Sequence, residues 1–388
     1  MSEINSSNFK KEHGDLAPDL VGVTELTSPY FFVPPSGATA ERPEDCEPGT
    51  LRFNTDIGTL EVFRGKTVGW EQIQRRDGQY LGGGTGSNAG TGVRGLAMSS
   101  TDYGATQSDT IEFITISTLG NSQDFGDLTF AVRQGTGFSS STRAIQAGGY
   151  DGSSRLNRID FVTIASLGDG SDFGDLQETR IGNPSGISNQ TRGLVAAGEN
   201  PGNTNDIDYI TIASTGNAVD FGHLSNAYQT GFAAGSTTRG IFAGGRGTPG
   251  YYNVIEFVTF MTTGDVTDFG DLSSQKKGSG KGNASNATRA IFCGEDKSGD
   301  TITNVIEFIT IASLGNSIDF GEATSNIATV CNLFSSTRGV FSGGTNGSSN
   351  VNSIQFVEIA TTGNAQDFGD CTLTNASRSG ASSGHGGL

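Results

Sequence analysis

The residues that could do chemistry at a telling spacing are aspartates. Asp-Phe-Gly occurs six times, at Asp124, Asp172, Asp220, Asp268, Asp319 and Asp367, with intervals of 48, 48, 48, 51 and 48 residues. An aspartate in that tripeptide can hold magnesium for phosphoryl transfer, but the reaction also needs a Gly-rich loop, a strand lysine and a His-Arg-Asp loop. The sequence has none of these, and six copies do not build one active site. A second acid follows in five copies (Asp127, Asp175, Asp271, Glu322, Asp370), which raises calcium. Calcium loops require further oxygens in a tight turn, and the third copy carries His223 instead. Aspartates at strand ends and turns ordinarily accept backbone N–H groups, so the series reads as structural, with no cofactor and no metal.

Two more charged series keep the same period. Arginines stand at Arg94, Arg143, Arg192, Arg239, Arg289 and Arg338, and acids at Glu112, Asp160, Asp208, Glu256 and Glu307, with Gln355 in the sixth place. Half-buried charges are tolerated when paired, which predicts Arg–carboxylate pairs locking adjacent strands, weakest at Gln355. His13, His223 and His385 sit in unrelated contexts and suggest no triad or metal cluster.

A fixed period of this size marks a repeat architecture. Each copy holds an Arg strand ending in glycine (STTRGIFAGG, 236–245) and an Ile-acid-aromatic strand (NVIEFVTF, 253–260). A Gly-Asn or Gly-Asp turn then leads into the Asp-Phe-Gly strand (DVTDFGDL, 265–272), and a more polar stretch leads back to the next arginine. That is four strands per unit, as in a β-propeller blade. After the sixth Asp-Phe-Gly, CTLTNASRSGASSGHGGL stops where another Arg strand would begin, so it is expected to complete the unit begun near residue 92. The expected fold is all-β: a six-bladed propeller over 92–388 closed by a C-terminal strand. The loops after each Gly-Gly vary freely and bring Tyr103, Tyr150, Arg155, Tyr251, Tyr252 and Lys297 to one rim. Tyr and Arg are favoured interface residues, which makes this a candidate binding rim.

Composition narrows the function. A net charge of −17 disfavours nucleic acid as a partner. Four cysteines without C-x-x-C spacing argue against a zinc site or disulfide scaffold. The first 20 residues have no apolar signal core, and no run approaches a membrane span.

The Arg strand ending in Gly-Gly, the period and the split closing unit resemble kelch-type propellers, although the usual tryptophan is missing from the repeats. The combination TRGxFAGG, IEFITIAS and GNAxDFGDL resembles repeat proteins of tailed bacteriophages, especially cyanophages, where such proteins are virion components. GTLRFNTDIGTLEVFRGKTVGWEQIQ (49–74) resembles a short hairpin element of tail-fibre and other virion proteins. The resemblance implies a non-enzymatic virion protein, tail-, baseplate- or fibre-associated, assembled in the host cytoplasm in multiple copies. Residues 1–48 would be an extended attachment arm, 49–75 a small three-stranded module and 76–91 a Gly-rich linker. Residues 1–75 would contact other virion proteins, and the propeller loops a host-surface glycan or protein. Capsid-surface decoration is the alternative, and a glycan-degrading propeller enzyme the alternative of a different class.

Overall fold

The computed structural model describes residues 34–43, 46–56, 59–67, 69–72, 93–101, 106–248, 250–278, 284–294, 296–297, 301–374 and 376–384. The linker assigned to 76–91, with its Gly-rich stretch, lies outside them, as do His13, His385 and Tyr103. The chain divides into two compact units, Met1–Arg75 and Arg76–Leu388. Among the described residues both are all-β apart from one 3-10 turn, Thr39–Glu41.

The first unit is a sheet of Ser36–Gly37, Leu51–Asn54, Thr59–Phe63 and Trp70–Gln72 in that order. Ser36–Gly37 runs parallel to Leu51–Asn54 and the other pairs are antiparallel. The expected three-stranded module is therefore four-stranded, because residues 36–43, assigned to the arm, fold back onto it. Their anchor is polar. Arg42 donates to the buried carboxylate of Glu61, which also accepts from Asn54 Nδ2 at 3.0 Å. The Arg42 bond holds the Glu61 carboxyl below its ordinary pKa.

In the second unit each repeat forms an antiparallel sheet in one order: a strand of mostly small residues, the arginine strand, the acid–aromatic strand, the Asp-Phe-Gly strand. The second copy is Thr136–Ser139, Arg143–Tyr150, Arg155–Thr163 and Ser171–Asp175. In the copy around Arg289 the described residues show a Ser285–Ala290 bridge where the first strand would run, and residues 279–283 lie outside them. The C-terminal strand Ser379–Ser382 pairs with Arg94–Thr101, aligning Ser379 with Met98 and Ser382 with Gly95. It thereby supplies the first copy's missing strand, as the sequence suggested.

A bulge recurs in every copy. Ile159 faces Gly174 and Asp160 faces Asp172, so the register skips Phe173. A bulge re-aims the side chain it frees. Here it turns the Asp-Phe-Gly phenylalanine into the core, edge-on to the aromatic of the neighbouring strand, as in Phe161–Phe173 at 5.9 Å and 81°.

The apolar core lies between consecutive sheets. Phe138, Ile145, Ile159 and Phe173 of one copy pack with Val195, Ile210 and Ile212 of the next. Val93, Ile114 and Ile116 of the first copy pack with Leu333, Val340 and Phe368 of the last. Serines also link the small-residue strands. Ser188 Oγ bonds both main-chain groups of Ser139, Ser139 Oγ those of Ser382, and Ser285 Oγ those of Gly235. Ser382 Oγ accepts from Phe334 N, which joins the last copy to the first.

Candidate functional site

The six arginines do not meet the six acid positions. Each guanidinium stacks on the aromatic of its own acid–aromatic strand: Arg94 on Phe113, Arg143 on Phe161, Arg192 on Tyr209, Arg239 on Phe257, Arg289 on Phe308 and Arg338 on Phe356, at 4.5–5.0 Å. Its Nη1 then crosses to a main-chain carbonyl of the following copy. Arg94 reaches Ile164, Arg143 Ile212, Arg192 Phe260, Arg239 Ile311 and Arg289 Ile359. Arg338 reaches Ile116 at 3.1 Å, returning from the last copy to the first. The expected pairing of this series with the acid series is thus corrected: an aromatic face and a main-chain carbonyl hold the cation. Among the described residues Arg338 alone of the six also meets a carboxylate, that of Glu358 on the neighbouring strand at 2.8 Å, which lies outside the acid series.

The Asp-Phe-Gly strand grips the next copy in three ways. The phenylalanine carbonyl accepts from the turn glycine, as in Gly168 N to Phe125 O at 3.0 Å. The N–H after the glycine donates to the turn Asn or Asp, as in Asp175 N to Asn217 Oδ1 at 3.1 Å and His223 N to Asp265 Oδ1 at 2.9 Å. The glycine itself sits at φ near +145°, and a Cβ on Gly174 would lie 2.5 Å from the Gly216 carbonyl oxygen. The motif's first aspartates are all exposed. They charge the outer strand, a common protection against edge-to-edge pairing. Asp127 titrates above its ordinary value through partial burial and its acidic neighbours Asp109, Asp169 and Asp124.

The acid series is buried and its partners alternate. Glu112 is paired with Arg378, Asp208 with Arg180 at 3.0 Å, and Glu307 with Lys276 at 3.2 Å. All six of these side chains are at most 3% exposed. In the intervening copies, Asp160 accepts from Thr129 N and Oγ1 and has Arg158 at 3.4 Å. Glu256 accepts from Ser225 N at 3.4 Å, and Gln355 from Thr324 N at 2.8 Å. Burial pushes Glu256 above the usual carboxylate range; it does the same to Asp208, outweighing Arg180. The sequence reading missed Arg378, Arg180 and Lys276. Arg180 and Lys276 share one repeat position, 8 residues after Asp172 and Asp268, which could have marked them; Arg378 stands 11 residues after Asp367 and directly precedes its strand.

The loops after Gly-Gly begin as the glycines predicted, with Gly148 at φ +61° and Gly149 at +114°. Their candidate rim residues are partly engaged within the fold. Tyr150 is stacked by Arg133 at 5.2 Å. Arg155 reaches the next loop at Glu199 (2.7 Å), and Gln107 donates to Asp151 O. Tyr251 bridges to Arg246, and Tyr252 packs against Tyr228 at 6.5 Å. Lys297 lies in a short strand paired with Lys276–Lys277 and Thr301–Ile302. Among the described residues the first four loops are tied in sequence order, through Gln107–Asp151, Arg155–Glu199 and Asn203 to Arg246 O.

His223 lies 3.1 Å from Asp265 and 3.5 Å from Asp206 on the surface. Cys293, Cys331 and Cys371 are buried and not disulfide-bonded; burial pushes the Cys371 thiol up. Among the described residues no three His, Cys, Asp or Glu side chains converge as metal ligands. No protein-family model matches the chain, and no curated protein matches it.

Proposed function

We propose that the repeat unit is a six-bladed, kelch-like β-propeller, and that the chain is a non-enzymatic structural protein of a tailed-phage particle. In this reading it docks through residues 1–75 and displays the propeller loops. The observation carrying the architecture is the set of unit-to-unit bonds that returns to its start, above all Arg338 to Ile116 O and Ser379–Ser382 on Arg94–Thr101. A scaffold held by repeated joints, with variation gathered in the loops, suits display. The phage assignment rests on the repeat and hairpin resemblances. Tail, baseplate or fibre attachment is the reading preferred over capsid decoration.

Class averages of the isolated protein should show a six-lobed disc; an open solenoid would overturn the architecture. Particles made with residues 1–75 deleted should lack the protein, and its retention would rule out the docking role. The propeller should bind host polysaccharide or protein without turnover. Cleavage of host polysaccharide would replace display with catalysis.

A further inference from the structure

The linker that precedes each first strand is strained at one position. Gln134, Asn183, Thr230, Thr329 and Ser377, each two residues before its strand, sit at φ between +53° and +58°. The corresponding residue of the copy around Arg289 lies outside the described residues. Glycine takes this conformation freely, and for a β-branched threonine it is an outlier. All five residues are nonetheless polar and uncharged. Strain kept at one place in every described copy points to a use for the side chain. Consecutive linkers also touch: Asn183 N donates to Gln134 O at 3.1 Å, and Ser377 N to Thr329 O at 3.2 Å. Asn183 is only 9% exposed, yet its Oδ1 has no partner among the described residues.

A cation stands beside the Gln134–Asn183 pair. Arg133 is held opposite Tyr150 by main-chain bonds of 3.1 and 2.8 Å, with its guanidinium 5.2 Å from the ring centroid. The six repeat arginines reach carbonyls, and Arg155, Arg158, Arg180 and Arg378 meet carboxylates. Among the described residues the half-buried Arg133 has neither, and its buried Nε has no partner. A guanidinium left so is a ready fork for a carboxylate. We propose that Arg133, Tyr150, Gln134 and Asn183 form a binding site for a sugar that bears a carboxylate. Arg133 takes the carboxylate, Tyr150 fixes the plane of the fork, and the two amides exchange hydrogen bonds with sugar hydroxyls. The strained linker residues offer amides and hydroxyls and no large apolar group, which suits a sugar better than the aromatic anchors of a protein partner. On a chain of net charge −17, an unpaired arginine also localises an acidic ligand to this place. The assignment rests on the loop face being a display surface, as proposed above.

Isothermal titration of the full chain with trigalacturonate, the uncharged galactotriose and triglutamate tests the site. Trigalacturonate should bind about tenfold or more tighter than either of the others. Equal binding of galactotriose removes Arg133 as the anchor, and equal binding of triglutamate removes the sugar. Either result overturns the proposal, as does a failure of trigalacturonate to bind. Arg133→Gln should weaken trigalacturonate about tenfold or more, and Asn183→Gly about threefold or more. Glycine relieves the strained backbone, so the Asn183→Gly chain should melt no lower than the parent while losing affinity. Unaltered affinity in both variants refutes the site. If Arg133→Gln does not fold, Gln134→Gly takes its place, with the same expectation as Asn183→Gly. Host envelope fragments are titrated in parallel. Fragments bound without trigalacturonate leave display standing and refute this site; with neither bound, both readings fall.

Discussion

The arginine layer and the acid layer recur with the same period, yet they are held differently. In the arginine layer every copy shares one solution, an aromatic face below and a neighbour's carbonyl ahead, to which Arg338 adds Glu358. In the acid layer the partner is Arg378, Arg180 or Lys276 in alternate copies, and mainly backbone or hydroxyl donors in the others. A main-chain partner is supplied by the fold, so every copy can use it. A side-chain partner must be provided copy by copy, which allows different answers. Gln355 illustrates this. It keeps the acceptor for Thr324 N, while the linker position that holds Arg180 and Lys276 in other copies is the buried, apolar Ile327 and no carboxylate is needed.

This contrast can be broken first at the joint between the ends of the repeat region. Arg378→Leu would leave Glu112 buried without its cation, a loss of about 3–5 kcal/mol. Denaturant unfolding should register it, and Glu112→Gln in the same chain should recover much of it. Next in size is Gly174→Ala, which forces a Cβ against Gly216 at a φ that disfavours side chains; it should cost about 2–4 kcal/mol. Arg239→Ala removes one stack and one bond from the uniform layer. We expect about 1–2 kcal/mol in thermal unfolding, with binding by the loops unaltered. If Arg239→Ala costs more than Arg378→Leu, the ranking of the two layers is wrong.

The smallest effect sharpens the contrast through pH. The folded protein holds the Glu256 proton more tightly than the unfolded chain does. A group of this kind contributes stability below its unfolded pKa and loses it as pH rises through the higher folded pKa. Glu256→Gln, the sixth copy's solution, should flatten the decline in stability above pH 4.5 and raise stability at neutral pH. A pH profile parallel to that of the parent chain would contradict this.

Much of the fold was legible because its signals are local. The period, the strand order, the Gly-Gly exits and the strand at Ser379–Ser382 all follow from residue type and spacing. The arginine partners were not legible, since a carbonyl at Ile212 or Ile311 is offered by any residue type there. The acid partners failed for a different reason: the repeat position that holds Arg180 and Lys276 carries Val132, Tyr228 and Ile327 in other copies, so it shows no charge series, and Arg378 stands three residues further along its linker. The candidate rim was legible as a set of loops. Its internal ties, such as Arg155 to Glu199, depend on the meeting of two variable segments. The fourth strand of the first unit was hidden because its seat is polar, Arg42 on Glu61, where apolar periodicity gives no signal.

The strand pairing of Ser379–Ser382 with Arg94–Thr101 also sets a clock. Arg94 N and Ser383 Oγ, hydrogen-bonded at 3.0 Å, are separated by 289 residues. At roughly 5–20 residues per second, a ribosome needs on the order of 15–60 seconds between them. Throughout that interval the first sheet lacks a strand and its edge stays open to other nascent chains. Final assembly of the repeats therefore waits on the synthesis of Ser379–Ser382. Synthesis halted before residue 379 yields a chain that can fold sheet by sheet and still cannot close.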